Sequence, residues 1–294
     1  MKKVFLSTLI LLVLVSCTTT KRLGYVSKIS DWNLSHLTEA ELKMANDLLS
    51  YGLEHEALYT LMDTLKPISS LGFSLSYPIA KASEMKDGQA NVVDLKADSV
   101  KMALEELSSW NKVLKALSND NLEFLLIPYK QSWQGKRNLQ MLVCRKDLFA
   151  KVISEKANFF GQWGFTANSD PATVLTTIEF ESKNDRYRAY GYLFGYPDYA
   201  VDFFVEASSA EDESGAFVKR DFFSIPVKAG KSGYFTYAIP KGYVPTQTDS
   251  AIFYAASTTL QYYEVQKSNY GNSEDGINAI RMISDYWARS LSNQ

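Results

Sequence analysis

The order in which two kinds of apolar periodicity follow one another is the tightest constraint this chain places on its fold. Behind Asp98, an expected helix cap, Val100, Ala103, Leu104, Leu107, Leu114 and Leu117 recur at three- and four-residue steps, the spacing of a helix with one apolar face. Two short apolar runs follow at once, Leu122–Pro128 and Leu139–Cys144, each of a length suited to a buried strand. The residues between them, Tyr129 to Asn138, predict a hairpin with a long basic tip carrying Lys130, Trp133, Lys136 and Arg137. A second pair, Asp221–Pro226 and Tyr234–Ile239, is joined through Gly230 and Gly233. Strands that come in adjacent pairs, with blocks of helix between, predict an α+β class: a helix-rich single globular domain with antiparallel strand pairs.

The remaining segments read mostly as helix. From Leu37 to Leu65, Leu42, Ala45 and Leu49 and then Leu58, Leu61, Met62 and Leu65 form a stripe around Gly52 that Pro67 ends. Within it, Leu48-Leu49-Ser50-Tyr51-Gly52 followed by Glu56-Ala57-Leu58 is similar to half of a tetratricopeptide repeat. No second copy follows, so a plain helix pair is preferred. Residues 67–97, punctuated by Pro67, Gly72, Pro78 and Gly88, predict irregular structure. Asp147 is the expected cap of a helix through Leu148, Val152, Phe159 and Trp163, ended by Gly164, and Asp170-Pro171 opens another. Residues 184–207 predict helix, Gly195-Tyr196-Pro197, helix, although the alternation of Arg186, Arg188, Tyr190 and Tyr192 also fits a strand. Ser208 to Gly215 reads as an acidic surface loop, and Ser250–Val265 suits strand by composition and helix by length. Ser273, with Glu274 and Asp275 behind it, is the expected start of a terminal helix bearing Ile277, Ile280, Trp287 and Leu291.

The front of the chain has a different character. Lys2 and Lys3 precede an apolar run from Val4 to Val15, interrupted only by Ser7 and Thr8 and too short to span a bilayer comfortably. It closes on Leu14-Val15-Ser16-Cys17, which resembles the lipobox of bacterial lipoproteins. The resemblance implies cleavage before Cys17 and lipid attached to its thiol. It divides the chain into a signal peptide (1–16), a lipidated tether (17–30) and a globular domain (31–294). Thr18 stands where an aspartate would signal inner-membrane retention, so in a diderm cell the resemblance implies the periplasmic face of the outer membrane.

Bulk chemistry removes several function classes. A net charge of −2 argues against a general nucleic-acid binder. No glycine-rich phosphate loop of either common type is present, so no cofactor is expected. If Cys17 is acylated, Cys144 is left alone and no internal disulfide can form. Any imidazole metal site or histidine base has two candidates and no more, His36 and His55, and no metal is expected.

Three groups remain as candidates. Arg186, Arg188, Tyr190, Tyr192, Tyr196 and Asp198 would line a cleft, with guanidinium forks holding an anionic or sugar-like ligand and tyrosine faces stacking on it; otherwise the rings are core and the arginines are solvated. The basic hairpin tip would meet phosphorylated headgroups or an acidic partner, or simply face solvent. Cys144 would be a nucleophile with His36 or His55 as base, yet it ends an apolar run, where an inert buried cysteine is the ordinary outcome. The expected function is a lipid-anchored envelope protein, a non-catalytic binding or assembly component. It would reach the membrane through its N-terminal lipid and bind an envelope protein, a glycan or an anionic ligand. The alternative is a hydrolase of envelope polymers or esters using Cys144 or a carboxylate pair.

Overall fold

The computed structural model describes residues 32–80, 93–272 and 276–292. The expected signal peptide (1–16), Cys17 and the expected tether (17–30) lie outside these residues. In chain order the elements are α1 (Glu39–Glu54), the single turn α2 (Leu58–Leu61), β1 (Ile68–Pro78), α3 (Asp98–Leu117), β2 (Leu122–Pro128), β3 (Lys136–Arg145), α4 (Lys146–Glu155), α5 (Ala157–Phe160), α6 (Pro171–Phe180), α7 (Lys183–Leu193), α8 (Asp198–Ser214), β4 (Arg220–Ser224), β5 (Thr236–Pro240), α9 (Gln247–Lys267), β6 (Gly271–Asn272), β7 (Gly276–Ile277) and α10 (Ala279–Ser292). The fold is α+β, with every described strand pairing antiparallel.

The centre is a three-stranded sheet in the order β1-β3-β2. Because side chains alternate along a strand, its two faces collect different residues. Leu75 and Tyr77 of β1, Leu122 and Phe124 of β2, and Met141 and Val143 of β3 pack with α1, α3, α9 and α10 in one core. Ile68, Leu125, Ile127, Leu142 and Cys144 point the other way, into a second core with Phe149, Phe160, Val174, Ile178 and Leu193 from α4 to α7. The helices that cover this second face reach only part of the sheet. Beyond them the same face of β3 continues as Gln140 and Asn138, opposite Ser74 and Ser76 of β1. An apolar face therefore turns polar where its cover stops.

Local chemistry sets several of the helix ends. Thr38 and Glu41 cap α1 reciprocally, and Thr246 and Asp249 do the same for α9. Asp170 accepts from Thr173 N–H at 2.9 Å, with Pro171 at the first helical position of α6.

Several expectations need correction. The stretch predicted irregular contains β1: its pairing with β3 is interrupted between Ser70 and Ser74, and that bulge hides the two-residue period. Gly88 lies outside the described residues. Asp98 and Asp147 sit inside the first turns of α3 and α4 and make no side-chain cap. The expected acidic loop from Ser208 is the last part of α8, which ends at Ser214 before a left-handed Gly215. Its charges are held laterally, Asp212 by Lys183 and Glu211 by Arg220. Residues 250–265 are helical, within α9. The terminal helix starts at Ala279, and Ile277 belongs to the short strand β7 instead; Ser273, Glu274 and Asp275 lie outside the described residues.

Candidate ligand-binding cleft

Where the cover of the second sheet face stops, a cleft of about 840 Å³ opens. Its floor is the polar end of the sheet: Ser74, Asn138 and Gln140. One wall is the β2–β3 hairpin tip, contributing Tyr129, Gln131, Ser132 and Trp133. The opposite wall is α7 and α8, with Arg186, Tyr187, Tyr190 and Phe204, and the β4–β5 hairpin closes the end with Phe222 and Tyr237. Nine of the lining side chains are aromatic. Trp133 and Phe222 stand at the mouth, 72% and 61% exposed, too open to be core.

The hairpin tip is tight, not long. Gln134 and Gly135 both have positive φ, 48° and 69°, and Trp133 and Lys136 exchange backbone hydrogen bonds at 3.0 and 2.9 Å across them. That is the two-residue turn whose twist suits antiparallel strands, and it fixes where Trp133 stands. Nor is the tip a free basic patch. Lys130 Nζ donates to the carbonyls of Phe180 and Glu181 at the end of α6, and Arg137 Nη1 donates to the Lys130 carbonyl. These cations pin the tip against the helix that carries Glu179.

Glu179 is the polar hinge of the site. Though only 5% exposed, it accepts Lys130 N–H on Oε1 and the Tyr190 hydroxyl on Oε2, each at 3.0 Å. Arg186 approaches more loosely, 3.9 Å from the carboxylate and 3.4 Å from the Glu179 carbonyl. Burial, with Glu179 nearby, raises the Tyr129 phenol to about 12 and pushes Tyr190 up as well. Burial raises Tyr196 too. These hydroxyls stay protonated at neutral pH and serve as donors, not bases.

The six residues singled out in the Arg/Tyr stretch divide into two sets. Arg186, Tyr190 and Tyr196 line the cleft. Arg188 pairs with Asp202 and reaches the Tyr192 hydroxyl at 3.2 Å. Tyr192 stacks edge-on against Phe159 and lies under Lys156, which binds Asp198 at 2.5 Å. That second set is a surface lattice between α4, α7 and α8. The turn between the two helices is set by Gly195, whose φ of +77° is left-handed. A Cβ there would also strike the Leu65 carbonyl. Glu179, Gln140, Tyr187, Phe204, Phe222 and Tyr237 are among the cleft residues that sequence reasoning did not select.

Cys144 lies elsewhere. It is fully buried in the second core, and burial, then Glu123, pushes its thiol well above the ordinary value. His55 Nδ1 contacts the Tyr51 carbonyl and its ring stacks on Tyr51 at 3.8 Å. The hydrolase alternative loses its thiolate, since the nucleophile is the ionised and accessible form. Among the described residues no cluster of His, Cys, Asp and Glu could hold a metal ion, and no helix is long and apolar enough to cross a membrane.

No protein-family model, curated protein or solved structure matches the chain. Function has to be argued from the site itself.

Proposed function

We propose that this chain is a lipid-anchored envelope protein, tethered through acylated Cys17 (in a diderm cell, at the periplasmic face of the outer membrane), whose domain is a non-catalytic receptor for a small ligand held in the aromatic cleft. The observation that carries the binding half is a convergence. The hairpin tip and the Arg/Tyr helix, distant in sequence and singled out for separate reasons, line the same cleft. A concave, mainly apolar site with a few convergent polar groups is the usual form of a ligand pocket, and 840 Å³ falls in the usual size range. Two large rings left exposed at its mouth give a bound molecule apolar surface to cover, each worth roughly 1.5–3 kcal/mol if fully buried. The anchor half is supported by Leu14-Val15-Ser16-Cys17 behind a charged and then apolar leader.

Each half has its own test. Cys17→Ser should abolish incorporation of labelled palmitate; label persisting in that variant sinks the anchor. For the cleft, the full chain purified from its native envelope should release a low-mass compound on denaturation. Phe222→Ser changes a mostly exposed ring, so folding should be preserved while recovery of that compound drops about fivefold or more. Equal recovery from both proteins, or none from the wild type, would count against a receptor.

A further inference from the structure

We infer that the cleft's ligand is an amphipathic carboxylic acid, an apolar body ending in one carboxylate that Arg186 holds. This rests on the cleft being the binding site.

The polar groups around the cleft are unequally spent. Its strongest acceptors are used within the protein. Both Glu179 oxygens are taken by Lys130 N–H and Tyr190, Gln140 Oε1 accepts from the Tyr129 hydroxyl, and Asn138 Oδ1 accepts from Ser76 at 2.6 Å. Donors are left over. Arg186 uses only Nη1, at 3.4 Å to a carbonyl and 3.9 Å to a carboxylate, whereas a well-made charge-assisted contact is about 2.8 Å long. Among the described residues its Nε and Nη2 make no hydrogen bond, although the side chain is only 14% exposed. Among the described residues the Asn138 amide nitrogen makes no hydrogen bond either. A site with surplus donors selects a ligand rich in acceptors, and the planar guanidinium edge fits two coplanar oxygens.

Two features decide against other occupants. A sugar brings hydroxyls that each need an acceptor as well as a donor, and the one carboxylate in the lining, Glu179, already accepts on both oxygens. Glu179 is a like charge for an anionic ligand, and Arg186, 3.9 Å from it, is the cation that offsets it; Arg186 gives up only a long contact by turning to the ligand. Away from the polar floor, nine aromatic side chains line the cavity, which suits an aryl or acyl body.

The test compares 6-phenylhexanoate with 6-phenylhexan-1-ol, which share a body and differ in the end group. Calorimetric titration uses the full chain in phosphatidylcholine nanodiscs, with empty discs as blank. The acid should bind about tenfold or more tighter than the alcohol. Arg186→Gln should erase that preference, and Arg186→Lys, which keeps the charge without the fork, should fall between. Equal affinity for acid and alcohol, a preference that survives Arg186→Gln, or no binding of either probe overturns the carboxylate assignment. The cleft reading itself fails separately, if Phe222→Ser leaves the binding of both probes untouched.

Discussion

Asp249 is fully buried and still charged, because donors surround it. The hydroxyls of Tyr199 and Tyr237 donate to Oδ1, and Tyr243 donates to Oδ2 at 2.9 Å. Thr246 adds its N–H at 2.6 Å and its hydroxyl at 2.9 Å. Burial alone would raise the carboxyl; the tyrosine and threonine bonds outweigh it and hold the group well below the usual carboxylate range. The consequence reaches the cleft, since Tyr237 forms part of its wall and packs against Tyr196 with ring centroids 5.7 Å apart. Asp249→Asn puts an amide nitrogen among groups that all donate, and should cost about 3 kcal/mol in urea denaturation at neutral pH. The sign of the pH effect follows from the lowered value. As pH falls through the ordinary carboxylate range, the unfolded chain takes up a proton that folded Asp249 refuses. Stability present above that range is therefore lost progressively below it, and the variant should lack this part of the acid slope. An unchanged midpoint and slope would mean that the carboxylate contributes nothing.

At the scale of elements, legibility followed how far each signal survives folding. The runs of β2 and β3 and most of the apolar stripe of α3 were readable because a buried face leaves its period in the sequence, although Leu104 of that stripe is exposed. β1 was not: its bulge breaks the period, and its serines carry no apolar mark. The Arg/Tyr stretch was read as a helix, yet its candidate residues were grouped as if all could face one cleft. Helical geometry separates residues two apart, while i, i+3 and i+4 share a face. Hence Arg186 and Tyr190 look into the cleft, and Arg188 and Tyr192 look toward Asp202 and Lys156. Applied to α7 alone, that rule would have divided the set and added Tyr187. The partnership with Trp133 was beyond reach, because it depends on a tertiary contact made by Lys130 with the end of α6. Phe222 was hidden for a related reason: on a two-stranded hairpin, sequence does not say which face is covered.

For the molecule as a whole, the question is what joins two cores on opposite faces of one sheet. Lys66 sits at that seam, fully buried, with Phe235 at 4.2 Å and Tyr196 at 5.4 Å from the first core's side. Phe194, from the second core's side, lies 4.8 Å from its ammonium. Its ion-pair partner is Glu56, 2.9 Å away, and Glu56 also accepts Ser70 N–H at 3.3 Å. Burial lowers the lysine below its ordinary value, while Glu56 pulls it back. Such a pair contributes little net stability, but removing one member strands the other charge. Lys66→Met fills the space with an apolar chain yet leaves Glu56 unpaired at 13% exposure, and should cost about 3 kcal/mol. Adding Glu56→Gln removes the stranded charge, and the double variant should regain most of that loss. Urea titrations of the three proteins give the comparison. If the double variant is as unstable as Lys66→Met, the lysine acts through its contacts with the three rings, and the seam is held by packing instead of charge.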